Sequence, residues 1–91
     1  MIKIVINRCF GGFSLSKAAY EELGLEWDDY GFAYNDNRTD PNLVACVEKL
    51  GPAANGDFAD LGVIEIPDDV EYEITEYDGL EKVEEKHRIW Y

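Results

Sequence analysis

The run EIPDDVEYEITEYDGLEKVEE, residues 65–85, holds ten acidic residues and a single base, Lys82, yet keeps an apolar rhythm at Ile66, Val70, Tyr72 and Ile74. Carboxylates this dense cannot be buried on two sides, so the segment must fold with one face apolar and the other anionic. Residues 70–76 read as a strand with Val70, Tyr72 and Ile74 inward and Glu71, Glu73 and Thr75 outward. Asp78-Gly79 is a type I′ hairpin signal. A two-residue loop there pairs Ile74 with Val83 and Glu71 with Lys86. It also sets Glu73 against Glu84 and Glu76 against Glu81, like-charge pairs that oppose the hairpin. A helix from Leu80 through Val83 to His87 competes; the hairpin is the favoured reading.

The whole chain shares this bias. Twenty acids against eight bases in 91 residues give a formal charge of −12, beyond the roughly 2–8 units that solubility asks of a small domain. Hydrophobic residues at 46% and aromatics at 13% supply one core and argue against disorder. One domain, 1–91, is expected. An acidic surface disfavours DNA, RNA and anionic membrane and favours basic proteins. Two cysteines, Cys9 and Cys46, make neither a disulfide framework nor a zinc set. MIKIVIN is too short for a signal h-region, so the bacterial cytoplasm is the expected location and the Asn37-Arg38-Thr39 sequon carries no meaning.

Along the chain, residues 2–7 form a first strand, near-continuous in Ile and Val as for a strand covered on both faces. Gly11-Gly12 marks a tight turn. Ser16 caps a short first helix, with Leu15 and Tyr20 at hydrophobic-staple spacing and Gly24 as its stop. Residues 25–38 lack either periodicity. Trp27, Tyr30, Phe32 and Tyr34 are expected to pin this loop to the core, leaving Asp28, Asp29 and Asp36 in water. Asp40 and Pro41 start a second helix with Leu43, Val44, Val47 and Leu50 on one stripe, ended by Gly51-Pro52. A loose helical turn around Phe58 is expected within 53–60, then a strand over 61–66. The tail Arg88–Tyr91 is expected to dock on the body. The fold class is α+β: a small, mainly antiparallel sheet of three to four strands with two short helices on one face.

Chemistry finds little footing. Cys9 with His87 is the one thiol–imidazole pair, but nothing local marks Cys9 as a nucleophile. The turn Asn7–Gly12 could present amides to phosphate, yet the Walker lysine and the dinucleotide glycine spacing are both absent. Asp28-Asp29, Asp36 with Asp40, and Asp68-Asp69 lack the spacing of a calcium loop. The window 18–37 holds six acids and no base, whereas a base-stacking platform needs a basic groove. No cofactor, no metal and no direct nucleic acid are expected.

What remains is the charge. Duplex DNA carries one charge per about 1.7 Å, so twelve uncompensated charges match roughly 20 Å of duplex. Outward carboxylates two residues apart on a strand, about 6–7 Å, come close to inter-phosphate spacing. The stretches IVINRCFGGFSLS, RTDPNLVACVEKLG and VIEIPDDVEYEITEYDG with EKHRIWY make the chain resemble a group of small phage and prophage proteins for which no catalytic motif is known. By size and charge it also resembles acidic anti-CRISPR-type DNA mimics. That resemblance implies an inhibitor, not an enzyme, that occupies the basic nucleic-acid-binding surface of a host defence complex, such as a CRISPR effector. Its expected contacts are Glu65, Asp68, Asp69, Glu71, Glu73, Glu76 and Glu81, extended by Glu26, Asp28 and Asp29, on a monomer or homodimer. The alternative is an accessory or structural phage protein whose acidity only serves solubility.

Overall fold

The computed structural model describes residues 1–85. β1, Ile2–Asn7, pairs antiparallel with β2, Leu61–Ile66, from Ile2 opposite Ile66 to Asn7 opposite Leu61. Between them run α1, Lys17–Leu23, and α2, Pro41–Leu50, followed by a 3-10 turn at Gly51–Ala54. β3, Tyr72–Tyr77, and β4, Leu80–Glu85, close the described chain as an antiparallel hairpin.

The helices form where local chemistry starts and stops them. The Ser16 hydroxyl accepts from the Ala19 amide at 3.1 Å, and Gly24 ends α1 in the left-handed region at φ 73°. Asp40 accepts from the Asn42 and Leu43 amides at 2.8 and 3.4 Å, with Pro41 at the first helical position of α2; such caps contribute about 1 kcal/mol each. Leu43, Val44, Cys46 and Val47 then bury one stripe of α2 against Val5, Leu15, Ala19, Tyr20 and Leu61. Leu15 and Tyr20, the expected staple pair, lie in this same core.

The class α+β holds, and the hairpin is a hairpin. Its register sets Ile74 opposite Val83, Glu73 opposite Glu84 and Glu76 opposite Glu81, so β4 occupies residues where a helix competed. The partner expected for Glu71, Lys86, lies outside the described residues, as do His87 and the aromatic tail.

Two features differ from the expected architecture. The four strands make two separate two-stranded sheets, β1–β2 and β3–β4. And of the two α-helices only α2 packs on strands β1 and β2, with the 3-10 turn also against β2; α1 packs on α2 and the 3-10 turn. The reason for the split lies at the outer edge of β1. The Val5 amide donates to the Arg38 carbonyl at 3.0 Å, the Arg38 guanidinium donates to the Val5 carbonyl at 3.3 Å, and the Asn7 amide donates to Glu81 Oε1 at 2.7 Å. Loop backbone and two side chains thus satisfy an edge that a third strand would otherwise pair.

The aromatic loop is a further departure. Trp27 meets Tyr20 edge-on at 5.0 Å between centroids but stays over a third exposed, and Tyr34 is half-buried on the core. Tyr30 and Phe32, expected as anchors, are instead 70% and 58% exposed. Phe58 is 75% exposed at a simple turn rather than wrapped in a helical one.

Candidate anionic interface

Glu81 is the residue whose environment departs furthest from its expected role. The register places it on the same hairpin face as Ile74 and Val83. There it is 8% exposed and bidentate to Arg38, at 2.6 Å to one guanidinium nitrogen and 2.8 Å to the other. Arg38 uses its remaining donors on the Asn35 carbonyl and side-chain oxygen, at 2.9 and 3.1 Å, and lies 3.7 Å above the Phe13 ring. A buried charge is tolerated when paired and fully hydrogen-bonded, and this pair is both. Glu81 therefore holds the hairpin and offers nothing to a partner.

Asn7, fully buried, completes the attachment. Its side-chain amide donates to the carbonyls of Cys9 and Gly79, both at 2.7 Å, and its Oδ1 accepts from the Asp60 amide at 2.8 Å. One side chain thus ties the turn after β1, the hairpin tip and the approach to β2. Among named elements, the hairpin touches only β1. A polar lock of Asn7, Arg38 and Glu81, rather than an extensive apolar interface, fixes its pose.

The other acids of the 65–85 run are divided between β2, the connection at 67–71 and this mounted hairpin. Glu65 is half-exposed on β2, 3.8 Å from Lys3, and Asp68 is exposed beside the amino terminus at 2.8 Å. Asp69, Glu71 and Glu73 are exposed. Glu73 faces Glu84, which also reaches Lys82 at 2.9 Å on its own strand. Glu76, exposed, accepts from the Gly79 amide across the turn. Cross-strand like charges such as Glu73 and Glu84 weaken a hairpin, a local cost that the Lys82–Glu84 ion pair offsets only in part.

The second acidic block is built differently and on other elements. Asp28 is not a loose surface charge: it accepts from the Tyr20 hydroxyl at 2.7 Å and from the Tyr30 and Gly31 amides at 2.8 and 2.7 Å. The Gly31 amide, then the Tyr20 hydroxyl and the Tyr30 amide, hold its carboxyl below the usual range. Burial raises the Tyr20 phenol above its ordinary value, with the Ala33 amide opposing and Asp28 adding to the rise. Asp28 is thus an organiser of the loop. Glu26 and Asp29 are exposed next to it, and α1, from which this loop departs, makes no contact with the hairpin.

The same loop helps to form a cleft that the sequence reading missed. Trp27, Tyr30, Phe32 and Phe58 line, together with residues 11–17, a depression of about 530 Å³. Its walls meet because glycines allow backbone to approach backbone. A Cβ on Gly31 would fall 2.3 Å from the Leu15 carbonyl oxygen, and one on Gly11 1.8 Å from that of Phe58. The sequence signal lies in FGGF and YGF, aromatics flanking glycines, whereas in a stretch without periodicity ring hydrophobicity alone points the rings to the core.

The thiols show no catalytic arrangement among the described residues. Cys9 donates to the Phe58 carbonyl at 3.0 Å and to Asn7 Oδ1 at 3.4 Å. Burial, with the Glu22 charge adding, pushes the Cys46 thiol up, away from the reactive thiolate. The Cys9 loop amides are approached by the hairpin tip, where Gly79 lies against the Gly12 amide and Phe10 carbonyl. Among the described residues, no group of three or more His, Cys, Asp or Glu side chains is arranged to hold a metal ion. Among them, too, no helix is long and apolar enough to cross a membrane. Comparison with protein-family models, with curated proteins and with solved structures returned no match.

Proposed function

We propose that the chain is an inhibitor of phage type, anti-CRISPR-like, that acts as an acidic DNA mimic on the basic nucleic-acid-binding surface of a host defence complex. The observation that carries this reading is the cost the fold bears to display charge. Its hairpin keeps Glu73 opposite Glu84, and a buried ion pair and a buried asparagine hold that hairpin in one pose. A chain acidic only for solubility gains nothing from opposing like charges in a fixed register. A surrogate for phosphates does, because rigidly placed carboxylates lose little entropy on binding. Glu65, Asp68, Asp69, Glu71, Glu73 and Glu76 supply the contacts, and Glu81 is withdrawn from the set.

The mechanism is occupancy. A cleft evolved for phosphate is lined with Lys and Arg, which steer an anionic body inward and raise the association rate strongly at low salt. Once seated, the chain excludes DNA without turnover or cofactor. The test is retention of bacterial lysate proteins on the immobilised chain, eluted by a salt gradient and read by mass spectrometry. Capture of one nucleic-acid-binding complex that duplex DNA displaces is the expected result. Diffuse retention of many basic proteins, or a homodimer that buries the hairpin, returns the charge to a role in solubility.

A further inference from the structure

We infer that the aromatic cleft beside residues 11–17 is a second interaction surface, one that takes an extended, arginine-bearing segment of a partner protein. It uses no hairpin carboxylate and so stands independently of mimicry by the 65–85 run.

Exposure is the starting observation. Tyr30, Phe32 and Phe58 are each more than half exposed and border one depression, and contiguous exposed aromatics of this kind mark binding surfaces. The rings are displayed rather than left over. Asp28 clamps the Tyr30 and Gly31 amides, and Gly31 seats its backbone on Leu15, so the loop is anchored by main chain while its rings face outward. Tyr30 and Phe32 stack on each other at 6.0 Å with planes 14° apart, so the two rings hold each other in a preformed arrangement with their remaining faces and edges exposed.

Charge selects the occupant. Asp29 and Asp57 line the cleft against one base, Lys17, and Glu26 and Asp28 precede Asp29 in the same loop. An anionic ligand or nucleobase strand meets repulsion there, since stacking platforms for nucleic acid need a basic groove. A guanidinium is suited to both features. It stacks flat on aromatic faces, carries delocalised charge that is weakly hydrated, and donates a fork of hydrogen bonds to a carboxylate. A lysine ammonium stacks less well and holds its water more tightly. At about 530 Å³ the space suits a few side chains of a peptide rather than a folded domain.

The probe is a blocked octapeptide alternating arginine with glycine, against its lysine and serine counterparts, titrated into the isotope-labelled full chain by amide NMR. The arginine peptide should shift amides at 28–32 and 57–59 and bind at least tenfold more tightly than the lysine peptide. Tyr30→Ser with Phe32→Ser should remove that preference, while Asp69→Lys with Glu73→Lys should leave the shifts at these amides in place. Equal binding of the arginine and lysine peptides by the native chain overturns the proposal, whatever the variants do, because it reduces the effect to net charge. Shifts confined to the hairpin overturn it too. So does concentration-dependent self-association through these amides without peptide, which makes a second copy the occupant. An arginine preference that survives Tyr30→Ser with Phe32→Ser would likewise refute this surface and leave the mimicry reading standing.

Discussion

Arg38 and Glu81, 43 residues apart in the chain, meet in a buried bidentate pair that also closes the open edge of β1. Each partner serves two masters: the guanidinium faces Glu81 and the Val5 carbonyl, and the carboxylate faces Arg38 and the Asn7 amide. The polarity of the strand edge therefore dictates which residue is the base and which the acid.

From this follows a non-reciprocal substitution pattern. Glu81→Ala or Arg38→Ala strands a buried charge and should cost about 3–5 kcal/mol, read by urea denaturation. The swap of Arg38→Glu with Glu81→Arg restores the charge pair but sets acceptor against the Val5 carbonyl and cation against the Asn7 amide. It should fail to recover the native midpoint, whereas a purely Coulombic pair would recover most of it.

Exposed and buried aromatics should separate cleanly in stability. Tyr30→Ser and Phe32→Ser, at rings that stay in water, should each change unfolding free energy by about 0.5 kcal/mol or less. Tyr20→Phe removes a buried hydroxyl that donates to Asp28 and accepts from the Ala33 amide at 2.8 Å, and should cost about 1–3 kcal/mol. Thermal unfolding followed by circular dichroism checks both.

The loop clamp gives a pH signature. The carboxyl of Asp28 is held below its usual range in the fold, so its contribution is present above the unfolded value, about 3.9. That contribution is lost as pH falls through the lower folded value. The stability gap between the native chain and Asp28→Asn should accordingly be widest near neutral pH and close below about pH 4. Denaturation midpoints across pH 3–7 would show a flat gap if Asp28 were an ordinary surface acid.

At Glu73 stability and binding should move in opposite directions. Glu73→Lys replaces a like-charge pair with Glu84 by an attractive one, and should stabilise the hairpin by roughly 0.2–1 kcal/mol. Under mimicry the same change weakens capture of the basic complex. A variant that is more stable and binds equally well would sever the hairpin from function.

Most of the elements were legible because their signals are local. Ser16 and Gly24 bracket α1, Asp40-Pro41 opens α2, and Asp78-Gly79 fixes the hairpin register down to Ile74 opposite Val83. What escaped is long-range. No local pattern tells that Arg38 reaches across 43 residues to Glu81, so the separation of the sheets could not be foreseen. One clue was in hand: the register put Glu81 on the face of Ile74 and Val83, where an acid must be paired or exposed. The aromatic loop misled for a related reason, since ring hydrophobicity does not record whether glycine backbone, rather than side chain, makes the contact.

The most direct test of mimicry asks whether DNA and this chain can share a target. The complex retained from lysate is titrated with duplex DNA while bound chain is monitored, with the variant Asp68→Lys, Asp69→Lys, Glu73→Lys in parallel. The account predicts mutual exclusion, with release in proportion to DNA bound and no capture by the triple variant. A stable ternary complex holding DNA and the chain together, or undiminished capture by that variant, would contradict it.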